Sequence, residues 1–435
     1  MKSILQKILR ILAKAILAKY KPEVIGVTGS VGKTGAKEAI YAVLAGKFKV
    51  RKSVKNYNNE IGAPLTIIGV ESSLRSVFGW LKVFIRAIKL LLRNDQDYPK
   101  MLILEMAADK PGDLDYLTDI AGCKVGVITS IGDAHIENYK TLEKVRLEKA
   151  TMIRKLDKTG WAVLNIDDDK ILASAKETKA KVFTYAIDKE ADIQGKEIRL
   201  KFPLDDNGRA EFGLSFKLIN HGSFAPVFLP NIISKAGVYA ALSAAAVGII
   251  KGLNLVEISQ ALRKYDSPKG RMKFLFGIKK TFIIDDTYNA SPASAILALE
   301  TLGSIVKKGS ENKYAVLGDM LELGALSEAG HQAVGRAIVK NQIDKLIVVG
   351  ERSRDIARGA LAAGMKSDDI FHFAAAAEAG KFIEERIKTG DIILVKGSQG
   401  ARMEKIVKEL MTEPLRAEEL LVRQGREWQA SDKIL

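Results

Sequence analysis

The stretch Gly26-Val-Thr-Gly29-Ser-Val-Gly32-Lys33-Thr34 constrains this chain more than any other. It follows a short β-branched run at 23–27 and precedes a helical pattern over 35–45. Glycines let the backbone turn tightly, so that amide N–H groups can point inward at phosphate oxygens. The positive end of the following helix dipole adds to that attraction. Gly29, Ser30, Val31, Gly32, Lys33 and Thr34 therefore read as a nucleotide cradle, with Lys33 on the terminal phosphates and the Thr34 hydroxyl on magnesium. Val27 stands five residues before Gly32, where the usual phosphate-loop pattern has glycine. A chance Gly-Lys-Thr in a glycine turn is the bland alternative, and the strand–loop–helix setting argues against it.

Further strand-like runs at 101–104, 125–128 and 162–164 alternate with helical patterns such as 142–156, which predicts a mostly parallel sheet covered on both faces. Residues 182–230 read as an antiparallel patch, and 232–252 as an alanine-rich helix. Pro and Gly interrupt the pattern at 265–271, after which strands are expected at 281–284, 314–317, 346–349 and 392–395. The fold class expected is α/β: a central phosphate-loop, parallel-sheet ATPase domain at 23–268, with a helical insert at 72–98. An N-terminal basic helix at 1–22 precedes it, and a Rossmann-like α/β domain at 269–435 follows, with a charged, helical or frayed tail after about residue 413.

Composition narrows the chemistry. With 47% hydrophobic residues and a single cysteine, the 435-residue chain is neither disordered nor built on disulfides or a multi-thiolate zinc site. Cys123 reads as a small buried hydrophobe in a reducing compartment. A net charge of +16 suits phosphates, anionic lipid or nucleic acid without choosing among them. No secretory signal is evident. Residues 1–20 set Ile and Leu on one helical face and Lys7, Arg10 and Lys14 on the other; Lys82, Arg86, Lys89 and Arg93 recur in the same way over 77–93. Neither segment is an uninterrupted apolar run long enough to span a bilayer. Each reads either as a helix packed on the protein's own core or as one lying on a membrane surface.

Six other stretches accompany the glycine loop in order: Asn56-Tyr-Asn-Asn-Glu-Ile-Gly-Ala-Pro64, Glu105-Met106 followed by Pro111-Gly112, Thr129-Ser-Ile-Gly-Asp-Ala-His135, Asp285-Asp-Thr-Tyr-Asn-Ala-Ser-Pro292, Leu317-Gly-Asp-Met-Leu-Glu-Leu-Gly324 and Val395-Lys-Gly-Ser398. Together they resemble the Mur ligase family, and within it the branch that adds D-alanyl-D-alanine to UDP-N-acetylmuramoyl-tripeptide. The resemblance runs from about residue 24 to 410. It implies ATP-dependent amide formation through an acyl phosphate, with ATP and Mg2+ as cofactors, a cell-wall precursor as acceptor and an amino acid or dipeptide as amine donor.

Carried over by position, the resemblance gives Thr34 and Glu105 to one magnesium and His135 to a second. Lys149, fourteen residues after His135, matches a lysine that many members carbamylate into an anionic oxygen ligand; its alternative is an unmodified lysine on an exposed helix face. Arg271 matches the arginine that contacts the γ-phosphate, Asp286 the acidic residue on the ribose, and Tyr288 and Asn289 their nucleotide-positioning neighbours. Lys33, His135, Lys149 and Arg271 make up the implied catalytic set. Asn58 and Asn59 face the acceptor or else cap a helix. Asp319, Glu322, Lys396 and Ser398 belong to the amine-donor side, as does His331, for which a structural role is equally open.

The sequence also departs from the family pattern. One amphipathic helix stands where members carry a UDP-sugar domain, Gly35 replaces a hydroxyl residue, and 234–240 lacks the usual His-Asn pair. A folylpolyglutamate-like or polyamino-acid-forming ligase is the rival within the class. A nucleic-acid-binding ATPase is the rival outside it, and nucleic acid is not expected because no base-stacking aromatic cluster accompanies the charge. The expected location is the cytoplasm, with the two basic helices able to hold the protein at the inner face of an anionic membrane.

Overall fold

The computed structural model describes residues 2–54, 57–71, 76–132, 136–201, 212–307, 309–425 and 428. The chain divides into two compact units, the first formed by Met1–Arg199, Ser215–Leu229 and Ala236–Asp266, the second by Leu200–Leu214, Pro230–Lys235 and Ser267–Leu435.

The strands of the first sheet are β1 (Glu23–Thr28), β2 (Val50–Lys52), β3 (Met101–Glu105), β4 (Val125–Ile128), β5 (Trp161–Asn165), β6 (Lys181–Ala186), β7 (Ile193–Lys201), β8 (Gly213–Asn220) and β9 (Ser223–Pro230). Their order is β2-β3-β1-β4-β5-β6-β7-β8-β9, and β1 lies parallel to both neighbours with Val27 opposite Glu105 and Val127. The strands near β1 are buried on both faces, which is why they read as continuous apolar runs rather than alternating ones. Gly26 is needed inside β1: a Cβ there would meet Cys123 Sγ at 2.6 Å and Met152 Cε at 3.1 Å. Cys123 itself is packed in this layer, and burial pushes its thiol up to about 12, so it is an inert hydrophobe as its composition suggested.

Helices α1 (Lys2–Tyr20), α2 (Lys33–Leu44), α3 (Gly62–Ile68), α4 (Val77–Leu92) and α5 (Asp113–Ile120) belong to this unit. Leu9, Ala13 and Ile16 of α1 share a core with Leu65 and Ile68 of α3 and with Val83, Ala87 and Leu90 of α4. The end of α1 is tied to the end of α4, because Lys19 Nζ donates to the Leu90, Leu91 and Arg93 carbonyls and Tyr20 stacks on Tyr98 at 4.2 Å. Among the described residues no helix is long and apolar enough to cross a membrane.

The second sheet comprises β10 (Lys273–Gly277), β11 (Thr281–Asp286), β12 (Lys313–Gly318), β13 (Lys345–Val349), β14 (Ile370–Phe373) and β15 (Ile392–Lys396), in the order β10-β11-β15-β12-β13-β14. All its pairings are parallel except β10 with β11. Both expected α/β layers are therefore present.

Local expectations needed three corrections. The helix expected from residue 35 starts at Lys33, because Gly32 takes φ 88° and opens it two residues earlier. The patch at 182–230 is mixed: β6 and β7 run parallel, while β8 and β9 are joined through His221 and Gly222 with φ 45° and 81°, the signature of a type I′ hairpin. Strand β10 was not expected, since KFLFG is five residues long and its antiparallel partner β11 supplies the pairing that its own pattern lacks.

Candidate active site

In the first unit the chain leaves β1 toward β2 and β3 on one side, while β4 flanks it on the other. The cleft beyond the carboxyl ends of β1 and β4 is thus a topological switch point, the usual ligand position in open α/β sheets. The glycine loop lies there, stitched to the loop after β4. Ser30 N–H donates to Ser130 O at 2.8 Å, Val31 N–H to Ser130 Oγ at 2.8 Å, and Thr129 Oγ1 donates to Val31 O at 2.6 Å. Gly29 takes φ 145°, and a Cβ there would strike Thr129 Oγ1 at 2.1 Å. Since Ser130 takes the Ser30 and Val31 amides, the N–H groups left to face an anion are those of the first turn of α2, which Gly32 caps without a side chain. Lys33 Nζ folds over the loop, donating to Gly29 O at 2.7 Å and Ser30 O at 3.1 Å.

Two oxygen donors sit behind the loop. Thr34 Oγ1 is buried and has no hydrogen-bond partner among the described residues. Glu105, at the carboxyl end of β3, is almost wholly buried; Asn58 Nδ2 donates to its Oε1 at 3.2 Å, and its Oε2 lies 3.7 Å from Lys37 Nζ. Lys37, one turn beyond Lys33 and equally buried, was not singled out from the sequence. Its ammonium also donates to Ser53 O at 3.0 Å and lies 3.3 Å from Glu38. Lys37 therefore sets a buried cation beside the Glu105 carboxylate, shared with Glu38.

Among the described residues no group of three or more His, Cys, Asp or Glu side chains could hold a metal. One hydroxyl and one carboxylate nevertheless suit magnesium, a hard cation that usually takes one or two protein oxygens and fills the rest of its shell with phosphate oxygens and water. The orphaned Thr34 hydroxyl is the observation that supports this fit.

Lys149 lies on the inner face of the helix Leu142–Arg154, not on an exposed one; it is 3% exposed, and its Nζ donates to Ala108 O at 3.2 Å. Burial, followed by the nearby Lys33 charge, lowers its ammonium to about 7. Its neighbour Glu148 caps α5 by accepting from Gly112 N–H at 3.0 Å and Leu114 N–H at 2.8 Å, and Gly112 takes φ 91° there. That accounts for the Pro111-Gly112 pair. Asn59 Oδ1 accepts from Ile61 and Gly62 N–H at 3.2 and 3.0 Å, so of its two expected roles the structure realises the helix cap. His135 lies outside the described residues.

In the second unit the polar residues gather at the carboxyl ends of β11, β15 and β12. Asp286 faces Lys396 in register. Lys396 Nζ donates to Asp286 Oδ2 at 2.6 Å and to Asn289 O at 2.9 Å, and Met272 N–H donates to Asp286 Oδ1 at 3.1 Å. Asp286 therefore pins the residue that follows Arg271. Arg271 stacks over the Tyr288 ring at 4.0 Å, and Tyr288 N–H donates to Gly270 O at 2.9 Å. Asn289 Oδ1 accepts from Ala290 N–H at 2.9 Å.

Arg423 was not anticipated. Its buried guanidinium bridges Glu404 Oε2, the Thr287 carbonyl and the Tyr288 carbonyl, bracing the loop that carries Tyr288. The adjacent Asp285 is buried, accepts from Thr287 Oγ1 at 2.6 Å, and is pushed up to about 6 by desolvation.

The residues expected on the amine-donor side are mostly engaged with the fold. Asp319 Oδ1 accepts from Ser353 N–H at 2.8 Å, and Ser398 Oγ accepts from Leu321 N–H at 2.9 Å. Glu322 is exposed with φ 62°. For His331 the structural role is the one observed: it is buried, its Nε2 accepts from Met320 N–H at 3.0 Å, and its Nδ1 donates to Ser327 O at 2.7 Å. Both ring nitrogens are thus taken by the backbone.

Residues 85–247 match the family model described as the Mur ligase middle domain, and 270–399 match that of the Mur ligase, glutamate ligase domain. The chain is 31% identical over 404 residues to the UDP-N-acetylmuramoyl-tripeptide–D-alanyl-D-alanine ligase of Bacillus subtilis, covering 93% of this chain and 79% of that one. The enzyme of the same description from Mycobacterium tuberculosis is 30% identical over 407 residues, covering 90% and 73%. Among solved structures, the MurF ligase of Thermotoga maritima in complex with ADP superposes with a TM-score of 0.74 at 26% identity, covering 93% of this chain and 83% of that one.

Proposed function

This chain belongs to the Mur ligase family, and from that premise we propose that it is an ATP-dependent carboxylate–amine ligase adding D-alanyl-D-alanine to a UDP-N-acetylmuramoyl-tripeptide acceptor. A carboxylate oxygen of the acceptor attacks the γ-phosphorus; the bond to the β-phosphate oxygen breaks, giving an acyl phosphate and ADP. The amine nitrogen of the donor then attacks the acyl carbon, loses a proton, and the tetrahedral species collapses with loss of phosphate. Two anions must meet in the first step, so catalysis rests on offsetting negative charge.

Lys33 and the first-turn amides of α2 hold the phosphates. Thr34 and Glu105 hold magnesium, which when bound offsets charge on the phosphoryl group. An ammonium lowered to about 7 leaves much of Lys149 as free amine, the form that captures carbon dioxide and releases a proton to become a carbamate. His135 keeps the role that its sequence position implies, on a second magnesium. In the second unit, Arg271 is assigned to the γ-phosphate, with Tyr288 stacking to set its plane. Asp286 is assigned to the ribose, since each carboxylate oxygen keeps acceptor capacity beyond its one bond here. Asn58 acts through Glu105 and Asn59 by shaping the acceptor loop, while Asp319, Glu322, Lys396 and Ser398 frame the donor side. The domains are assigned as 1–22, 23–268 and 269–435. ATP as phosphoryl donor places the reaction in the cytoplasm.

The observation that carries this reading is the buried Thr34 hydroxyl, lacking a described partner, with the Glu105 carboxylate on the next strand over. The test is phosphate release from ATP across a panel of amino acids and dipeptides with UDP-linked acceptors, Lys33→Ala serving as the blank. Release should require both acceptor and D-alanyl-D-alanine. Release indifferent to both, or driven by DNA or RNA instead, would overturn the proposal.

A further inference from the structure

Helix α4 is apolar on two opposite faces. Val83, Ala87 and Leu90 point into the core beside α1. Phe78, Leu81, Ile85, Ile88 and Leu92, spaced by three and four residues, form a continuous stripe on the far side, and the two end residues are 81% and 80% exposed. At about 1.5 Å per residue this stripe is roughly 21 Å long. Lys82, Arg86, Lys89 and Arg93 each follow a member of the stripe by one position, so a basic row runs along its edge. The adjoining α1 repeats the design: Ile4, Ile8 and Ile11 are exposed on one side while Leu9, Ala13 and Ile16 are buried on the other.

Folding accounts for one apolar face per helix and leaves the second unexplained. Neither α1 nor α4 contains an Asp or Glu. Arg10 and Lys14 are taken by Asp119, and Arg86 by Asp95, whereas Lys7, Lys82 and Lys89 are exposed with no ion pair among the described residues. A second copy seated on this face by two-fold symmetry would set one basic row against another, which opposes association. An anionic lipid surface offers both complements at once, acyl chains for the stripe and negative headgroups for the lysines.

From this arrangement we infer that α1 and α4 form one interfacial docking face that seats the protein on an anionic lipid bilayer, with both helices lying in the plane of the headgroups. The inference is independent of the ligase chemistry, since none of these residues belongs to the nucleotide loop or the metal donors.

The test is flotation of the full chain with phosphatidylcholine vesicles prepared with and without phosphatidylglycerol. The protein should float with the anionic vesicles, and high salt should weaken the interaction by screening the lysines. The triple variant Phe78→Ser/Leu81→Ser/Leu92→Ser should reduce the bound fraction at least about tenfold through lost apolar burial. Its melting temperature and nucleotide affinity should remain those of the parent, because all three positions are exposed. Lys82→Glu/Lys89→Glu should abolish the preference for anionic vesicles. Absence of flotation with either vesicle, or flotation undiminished in the triple variant, overturns the inference. So does a dimer in sedimentation velocity that the triple variant dissociates while vesicles bind nothing.

Discussion

Replacing Lys37 by methionine isolates the electrostatics around the buried Glu105 carboxylate. The side chain is 1% exposed, and its ammonium is the cation 3.7 Å from the Glu105 carboxylate, itself 1% exposed. Methionine fills a similar volume, so the loss is chiefly one of the charge facing Glu105 and Glu38, the second of which keeps Lys52 as a partner, and of the bond to Ser53 O. Removing one partner of a buried ion pair typically costs about 3–5 kcal/mol, because the remaining charge is stranded. At about 2–4 °C per kcal/mol for a unit of this size, the melting temperature should fall by roughly 6–20 °C. The assay is a thermal melt without and with magnesium nucleotide, repeated in Lys37→Met/Glu105→Gln. Neutralising Glu105 removes the stranded charge, so the double variant should recover most of the loss of the single one. Magnesium nucleotide should likewise stabilise Lys37→Met more than the parent, since the cation would take over the role of the lost ammonium. A single-variant cost below about 1 kcal/mol, or a double variant no better than the single, would refute the assignment of Lys37 as counter-ion.

Three further outcomes are expected. Thr34→Val should leave stability without nucleotide unchanged or up to about 1 kcal/mol higher, since the hydroxyl is buried without a described partner, while magnesium-dependent phosphate release collapses and Thr34→Ser retains it. For Lys149, lowered from 10.5 to about 7 by burial, the unfolded chain binds the extra proton between those values. Its unfavourable contribution to stability should therefore be greatest below pH 7 and fade as pH rises toward 10.5, read by urea unfolding against Lys149→Met. Labelled bicarbonate should also give a carbamate carbon signal that this variant lacks. Gly26→Ala should cost about 1–3 kcal/mol by overpacking against Cys123 Sγ, and Cys123→Ala in the same chain should recover much of it, measured by chemical denaturation.

The elements that a linear pattern can specify were legible. Runs such as MLILE and VGVI, buried on both faces, signal parallel strands by composition alone, and the glycine loop announced the switch point on which the fold turns. Less legible were features that depend on a neighbour. Strand β10 exists because β11 pairs with it. The parallel pairing of β6 with β7 is set by where the sheet places them, whereas the alternation in sequence suggested an antiparallel patch. Lys37 and Arg423 carry no motif; each matters because a carboxylate from a distant segment, Glu105 or Glu404, is buried against it. His331 shows the converse, a residue in a conspicuous motif whose two nitrogens are both consumed by the backbone.

Sequence by itself determined the α/β class, the glycine loop between strand and helix and the order of the family motifs, since these follow from local periodicity and from residues close along the chain. Tertiary structure alone decided which charges are buried, which partners they have and which apolar faces remain uncovered. The reason is physical: desolvation and pairing depend on what surrounds a group in space. A lysine reads the same in the sequence whether it ends at about 7 on the buried face of a helix, as Lys149 does, or stands exposed beside an apolar stripe, as Lys82 does.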